Sequence, residues 1–197
     1  MKRVGLFFGS FNPLHVGHMI LANYMVVHTE MKEVWFVVSP QNPFKERKSL
    51  LNAIHRYAIV ERTIEHDVRF KVSNVEFAMP KPSYTVDTLV KLQEQFPENN
   101  FSLIMGQDNL THIHKWKNSE VLLRDYSIYV YPRAGSDKLD VKGINDTLSN
   151  IHMVEAPIVE VSATAIRKDI SKGKDVSWFL PEKAWKYIAE MNFYKNP

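Results

Sequence analysis

Two histidines three residues apart close the run Gly9-Ser10-Phe11-Asn12-Pro13-Leu14-His15-Val16-Gly17-His18. Imidazoles at that spacing share a face in the first turn of a helix. Gly17 lies between them and leaves the face bare, so that a flat ring or a sugar can rest there. Further donors and cations recur along the chain. They are Lys45 in Pro40-Gln41-Asn42-Pro43-Phe44-Lys45, the group Gly106-Gln107-Asp108, and Ser162-Ala163-Thr164-Ala165-Ile166-Arg167. Imidazoles, a lysine, an arginine and helix N-termini together suit a polyphosphate, which needs positive potential and many N–H donors. The chemistry to expect is transfer at phosphorus, driven by alignment and charge neutralisation. Other chemistries are disfavoured. His15 and His18 have no carboxylate or thiolate close by in sequence, so no metal cage is expected. There is no Gly-x-x-x-x-Gly-Lys-Ser/Thr loop and no nucleophile elbow. The chain has no cysteine, which excludes a thiol nucleophile, a disulfide and a thiolate zinc site.

The elements that must position these groups alternate between strand and helix. Residues 4–8 are an apolar run that reads as a buried strand, and residues 19–27 read as a helix. The histidine turn therefore joins a strand to a helix, with Gly9 letting a ligand approach the strand tip and Pro13 setting the way into the helix. Residues 33–39 form the next strand, almost wholly apolar as in a sheet covered on both faces. A helix is expected over 50–66, with Leu51, Ile54, Tyr57, Ala58 and Val60 on its buried side. A strand is expected over 68–72, and a helix over 85–96 with Ser83 or Thr85 as its cap. Residues 101–105 and 126–131 read as strands, with a short helix through 121–123 between them. Residues 134–150 read as a polar surface insertion with one short helix. Two more strands are expected at 151–154 and 158–161. A helix capped by Ser162 runs to Gly173, and a last one from Pro181 to about Met191. This is an α/β pattern. It predicts a doubly wound parallel sheet with helices on both faces, in one domain over 1–197 whose C-terminal part, from about 162, is helical. In such a sheet the ends of the strands share one edge, where Lys45, Asp108 and the histidines would meet.

Composition narrows the setting. With 197 residues and 45% hydrophobic residues, the chain can build a real core. A net charge of +3 suits small anions, and the positive residues do not form the blocks of a nucleic-acid binder. No signal peptide and no stretch able to span a bilayer is read, so a cytoplasmic protein is expected, with no membrane partner.

The run at 9–18 resembles the phosphate-binding signature of the HxGH nucleotidylyltransferase superfamily. The segment Ser162 to Arg167 resembles its second nucleotide-binding motif. Pro82-Ser83-Tyr84-Thr85-Val86-Asp87-Thr88 and Gly106-Gln107-Asp108 with Trp116 are similar to the substrate-side motifs of the bacterial nicotinate-nucleotide adenylyltransferase family. The resemblance spans most of the chain. Two positions depart from it: Phe44 stands where many members carry His, and His112 where an aromatic is frequent. His112 and His114 are left open between a partly exposed structural role and ligand contact.

What the resemblance implies is a Rossmann-like fold and transfer of the adenylyl group of ATP to nicotinate mononucleotide. The products would be deamido-NAD and pyrophosphate, in NAD biosynthesis. It implies His18, His15, Lys45 and Arg167 as catalytic residues. Gly9, Ser10, Phe11, Gly17, Gly106, Asp108, Ser162, Thr164 and Ile166 would bind ATP, and Thr85, Tyr84 and Trp116 the mononucleotide. Magnesium would arrive on ATP, with no metal held by the protein itself, and a homodimer is suggested. The alternatives are another adenylyltransferase of the superfamily, acting on phosphopantetheine or nicotinamide mononucleotide, or a nucleotide-binding regulator without catalysis.

Overall fold

Strands Lys2–Gly9 (β1), Glu33–Val38 (β2), Phe70–Ser73 (β3), Asn99–Gly106 (β4), Ile128–Tyr131 (β5) and Ile151–Met153 (β6) form one sheet in the order β3-β2-β1-β4-β5-β6. Every pairing is parallel. The computed structural model describes residues 1–40, 50–135 and 148–195. Helices connect the strands: Val16–His28 (α1), Ala53–Ile64 (α2), Thr85–Gln95 (α3), Gln107–Thr111 (α4), Ser119–Asp125 (α5), Ala163–Ser171 (α6) and Glu182–Glu190 (α7). The strand order reverses between β1 and β4, so the ends of these two strands border a crevice.

Alternation along the strands sorts the core into two layers. Phe7, Phe36 and Val38 point to the face covered by α1, α2, α6 and α7, where Leu21, Met25, Ile59, Val60, Ile166, Ile170, Ala184 and Ile188 are buried. Val4, Leu6, Trp35 and Val37 point to the other face, under Val86, Leu89, Leu92 and Leu122 of α3 and α5. Helices thus lie on both faces, as the alternating pattern requires. All six residues of β2 are buried, which explains its continuous apolar run.

Several expectations are corrected. Ile54 is 66% exposed, and α2 instead buries Arg56, Ile59, Val60 and Ile64. Val68 is exposed and the third strand begins at Phe70. Residues 158–161 form no strand, and Ile158 faces outward. Neither Ser83 nor Thr85 caps α3; the cap position is Tyr84, which makes no side-chain capping bond. The Ser83 hydroxyl donates to Glu76 Oε2 at 2.8 Å instead. By contrast Ser162 does cap α6, accepting from the Ala165 N–H at 3.4 Å, and Gly173 ends that helix with φ +73°. The insertion expected at 134–150 falls mostly outside the described residues, with a short 3-10 helix at Leu148–Asn150.

Candidate active site

A cavity of about 680 Å³ opens where β1 and β4 part. Gly9, Ser10, Phe11, His15 and His18 line one side, Asp108 and Trp116 another, and Ser162, Thr164 and Arg167 a third. Three separated stretches of sequence therefore meet at one sheet edge. Gly17 borders a smaller adjoining hollow, together with His15, His18 and Arg133.

The histidine turn is held by its own backbone. His15 occupies the cap position of α1 and His18 its first turn. The His15 N–H donates to His18 Nδ1 at 3.2 Å. That bond makes Nδ1 the acceptor, so the ring proton sits on Nε2. The two rings stack with centroids 3.7 Å apart. Phe7 and Phe11 press on His18 edge-on, with centroids at 5.9 and 5.2 Å. The space that Gly9 leaves is taken by the Phe11 ring: a Cβ there would lie 2.8 Å from Phe11 Cζ. Packing of the Phe11 ring therefore favours glycine at position 9, which also borders the cavity.

His15 is buried, and its Nδ1 meets no hydrogen-bond partner among the described residues. Burial, aided by the nearby Arg133 guanidinium, lowers its pKa to about 4. At neutral pH it is an uncharged imidazole. It can offer hydrogen bonds to phosphate but no net charge.

This has a consequence for stability. The unfolded chain binds a proton at His15 near pH 6.5, whereas the folded chain resists it until about pH 4. The contribution is therefore complete above pH 6.5 and is lost as pH falls toward 4, by about 3 kcal/mol. Urea unfolding of wild type and His15→Asn across that range is the measurement. The variant is expected to lose stability less steeply on acidification, by about one proton. Parallel curves would assign the wild-type slope to other groups.

Arg167 reaches across from α6. Its Nη1 donates to the Asn12 carbonyl at 2.7 Å, and Nη2 lies 3.4 Å from Thr164 Oγ1. Ile166, by contrast, is buried in the core, and its N–H is used by the Ser162 carbonyl. It does not line the cavity. Lys45 lies outside the described residues.

Arg133 is a site residue that sequence reasoning missed. It follows β5, lines the cavity, and places Nε 3.4 Å from Asp108 Oδ1. A Cβ on Gly106 would lie 2.4 Å from Asp108 Oδ1 and 2.9 Å from Arg133 Nε, so this pair depends on glycine there. Its position one residue beyond Pro132, at a strand end, was the available signal.

Trp116 is half-buried against the second core layer with one side on the cavity. Tyr84 and Thr85 do not line the cavity. Lys117 Nζ pairs with Asp87 Oδ2 at 2.9 Å and sits 4.9 Å from the Tyr84 ring centroid. His112 and His114 are exposed. Among the described residues no three His, Cys, Asp or Glu side chains group to hold a metal ion, and no helix is long and apolar enough to cross a membrane.

A sequence profile described as cytidylyltransferase-like matches residues 6–169. Among sequence relatives, a protein of Christiangramia forsetii named "Probable nicotinate-nucleotide adenylyltransferase" is 52% identical, over 98% of this chain and 99% of its own. One of the same name from Flavobacterium psychrophilum is 48% identical, over 98% of this chain and 100% of its own. A solved structure of the nicotinic acid mononucleotide adenylyltransferase of Plasmodium falciparum, complexed with NaAD, superposes with a TM-score of 0.81 at 20% identity, covering 98% of each chain, and so shares the fold. The profile match and the full-length relatives agree with the geometry of the cavity: this chain belongs to the cytidylyltransferase-like superfamily and, within it, to the nicotinate-nucleotide adenylyltransferase family.

Proposed function

We propose that this cavity joins nicotinate mononucleotide to the adenylyl group of ATP, releasing pyrophosphate and forming deamido-NAD for NAD biosynthesis. One observation carries the assignment to this site: His15, His18, Trp116 and Arg167 line a single cavity at the point where the strand order reverses. A phosphate oxygen of the mononucleotide attacks the α-phosphorus of ATP. The new P–O bond forms as the bond to the β-phosphate breaks, and pyrophosphate leaves with that electron pair. The attacking phosphate has a second pKa near 6 and is mostly ionised at neutral pH, so no general base is required. The protein has to align two anions and offset the charge that builds at phosphorus.

In this reading His18 donates from Nε2 to the α-phosphate. His15 hydrogen-bonds neighbouring phosphate oxygens as a neutral ring. Arg167 and Lys45 supply positive charge, and Thr164 and the first N–H groups of α6 take the triphosphate. Gly9, Ser10, Phe11, Gly17, Gly106 and Asp108 shape the ATP subsite. Magnesium enters as MgATP, held by phosphates and water. Trp116 offers a face on which the pyridine ring can stack. A single domain, a cytoplasmic setting and a homodimer go with this reading, the last resting on the family resemblance alone.

In this reading the start of α3 sets the choice between mononucleotides. Tyr84 contributes no capping side chain and the Ser83 hydroxyl is taken by Glu76, so the first N–H groups of α3 lack side-chain caps. The Asp87 carboxylate in this first turn would repel an anion, but Lys117 pairs with it. A pyridine carboxylate directed at Thr85 would gain about 0.3–1 kcal/mol from the helix end. The amide would leave a donor facing a donor, at a cost of about 1–3 kcal/mol. Pyrophosphate release at saturating MgATP is therefore expected to show kcat/KM at least about tenfold higher for nicotinate than for nicotinamide mononucleotide. Equal values would remove this helix start from the site. Turnover of phosphopantetheine alone would overturn the assignment of the reaction.

A further inference from the structure

Arg56 is completely buried, and among the described residues no carboxylate meets it. Its partners are four backbone carbonyls. Nε donates to Leu51 at 2.7 Å, Nη1 to Ser10 at 2.5 Å and to Ser39 at 2.9 Å, and Nη2 to Pro40 at 3.0 Å. These carbonyls come from three segments: the turn after β1, the exit from β2, and the residues ahead of α2. The Ser39 N–H still reaches the Gly9 carbonyl at 2.9 Å. Beyond that bond β1 and β2 diverge, and the carbonyls of Ser10 and Ser39 lose the partner that a continuing ladder would supply. Arg56 fills the fork. A planar guanidinium with five N–H donors can serve four carbonyls at once, which a single ammonium cannot.

The same turn is held from its other side. Asn12 Oδ1 accepts from the Leu51 N–H at 3.2 Å and from the Tyr194 hydroxyl at 2.9 Å. Its carbonyl takes Arg167. The stretch that carries Ser10, Phe11 and Asn12 is therefore clamped between a buried cation behind and the α6 arginine in front.

We propose that Arg56 is a positioning residue for adenylyl transfer, fixing the Ser10–Phe11 peptide and the β2 exit so that the phosphate-binding turn stands ready before substrate arrives. This rests on the reaction proposed above. In a trans peptide the C=O and N–H point in opposite directions. Anchoring the Ser10 carbonyl on Arg56 turns the Phe11 N–H away from the guanidinium, to the side of the cavity that Ser10 and Phe11 line. Arg56 itself touches no substrate. Its loss would let the turn shift while Arg167 and the α6 N-terminus still hold ATP. The effect belongs in kcat, because a small misplacement near phosphorus is felt most in the transition state.

The test compares wild type with Arg56→Lys, Arg56→Gln and Arg56→Ala. Pyrophosphate release from MgATP and nicotinate mononucleotide is read beside far-UV circular dichroism and the unfolding midpoint. For variants that fold like wild type, kcat is expected to fall by about tenfold or more with KM for ATP within about threefold. Guanidinium chloride, well below denaturing concentrations, is expected to restore part of kcat to Arg56→Ala and none to wild type. A folded variant with kcat within about twofold of wild type, or a loss confined to KM, overturns the proposal. Failure of all three variants to fold also overturns it, since Arg56 would then serve folding alone. A wild-type protein that releases no pyrophosphate with this pair fails the reaction itself, a result distinct from all of these.

Discussion

Replacing His18 by alanine is expected to lower kcat by about a hundredfold or more while ATP binding changes by only a few-fold. The geometry gives the reason. The His15 backbone N–H donates to His18 Nδ1 at 3.2 Å, which commits the His18 ring proton to Nε2. Phe7, Phe11 and the His15 ring surround the imidazole, so its direction is set before substrate arrives. A donor fixed in this way interacts modestly with ground-state ATP. It interacts more strongly as negative charge gathers on the oxygens of the five-coordinate phosphorus. Removing one such donor costs about 3–4 kcal/mol of barrier, which is the stated factor. Because the donor is not an anchor, KM for ATP should move little. Steady-state rates at saturating substrates, with ATP affinity measured separately, decide the matter. Turnover of His18→Ala within about threefold of wild type would take His18 out of the reaction.

The reach of the sequence ended where contacts distant along the chain decide a residue's role. The histidine turn was legible because a strand, a turn and a helix follow each other within 28 residues, each with its own local signal. The Ser162 cap and the Gly173 stop were legible for the same reason. Arg56 was not. Periodicity placed apolar Ile54 inward, yet α2 turns a charged side chain to the core because the carbonyls of Ser10, Ser39 and Pro40, at the ends of diverging strands, and of Leu51 ahead of α2 await it. Nothing near residue 56 reports that β1 and β2 part at Ser10 and Ser39. The Ser83 hydroxyl likewise looked like a helix cap, but Glu76 captures it, and the first turn of α3 is left to other partners. The pair of Asp108 and Arg133 joins the ends of β4 and β5, which are adjacent only once the sheet order is known. Residues 158–161, apolar except for Glu160, looked like a short strand, but they form none and Ile158 faces outward.

Arg167→Ala is expected to differ from the His18 variant in kind, lowering kcat/KM for MgATP by about a hundredfold with KM and kcat both affected. Arg167 does two things at once. Its Nη1 bond to the Asn12 carbonyl, at 2.7 Å, ties α6 to the turn after β1. Its remaining N–H groups, beside Thr164 and on the cavity, would meet phosphate oxygens in the proposed reaction. Each charge-assisted hydrogen bond is worth about 1.5–3 kcal/mol, and the charge attracts ATP before the reaction as well as during it. Ground-state affinity therefore suffers along with the rate. Arg167→Lys keeps the charge but cannot span Asn12 and a phosphate together, so it should retain affinity better than rate, with a loss of about tenfold in kcat. An exposed helical arginine with no role in the site would behave otherwise. Both variants would then stay within about threefold of wild type in kcat/KM, and that result would leave the triphosphate to the α6 N-terminus, Lys45 and the two histidines.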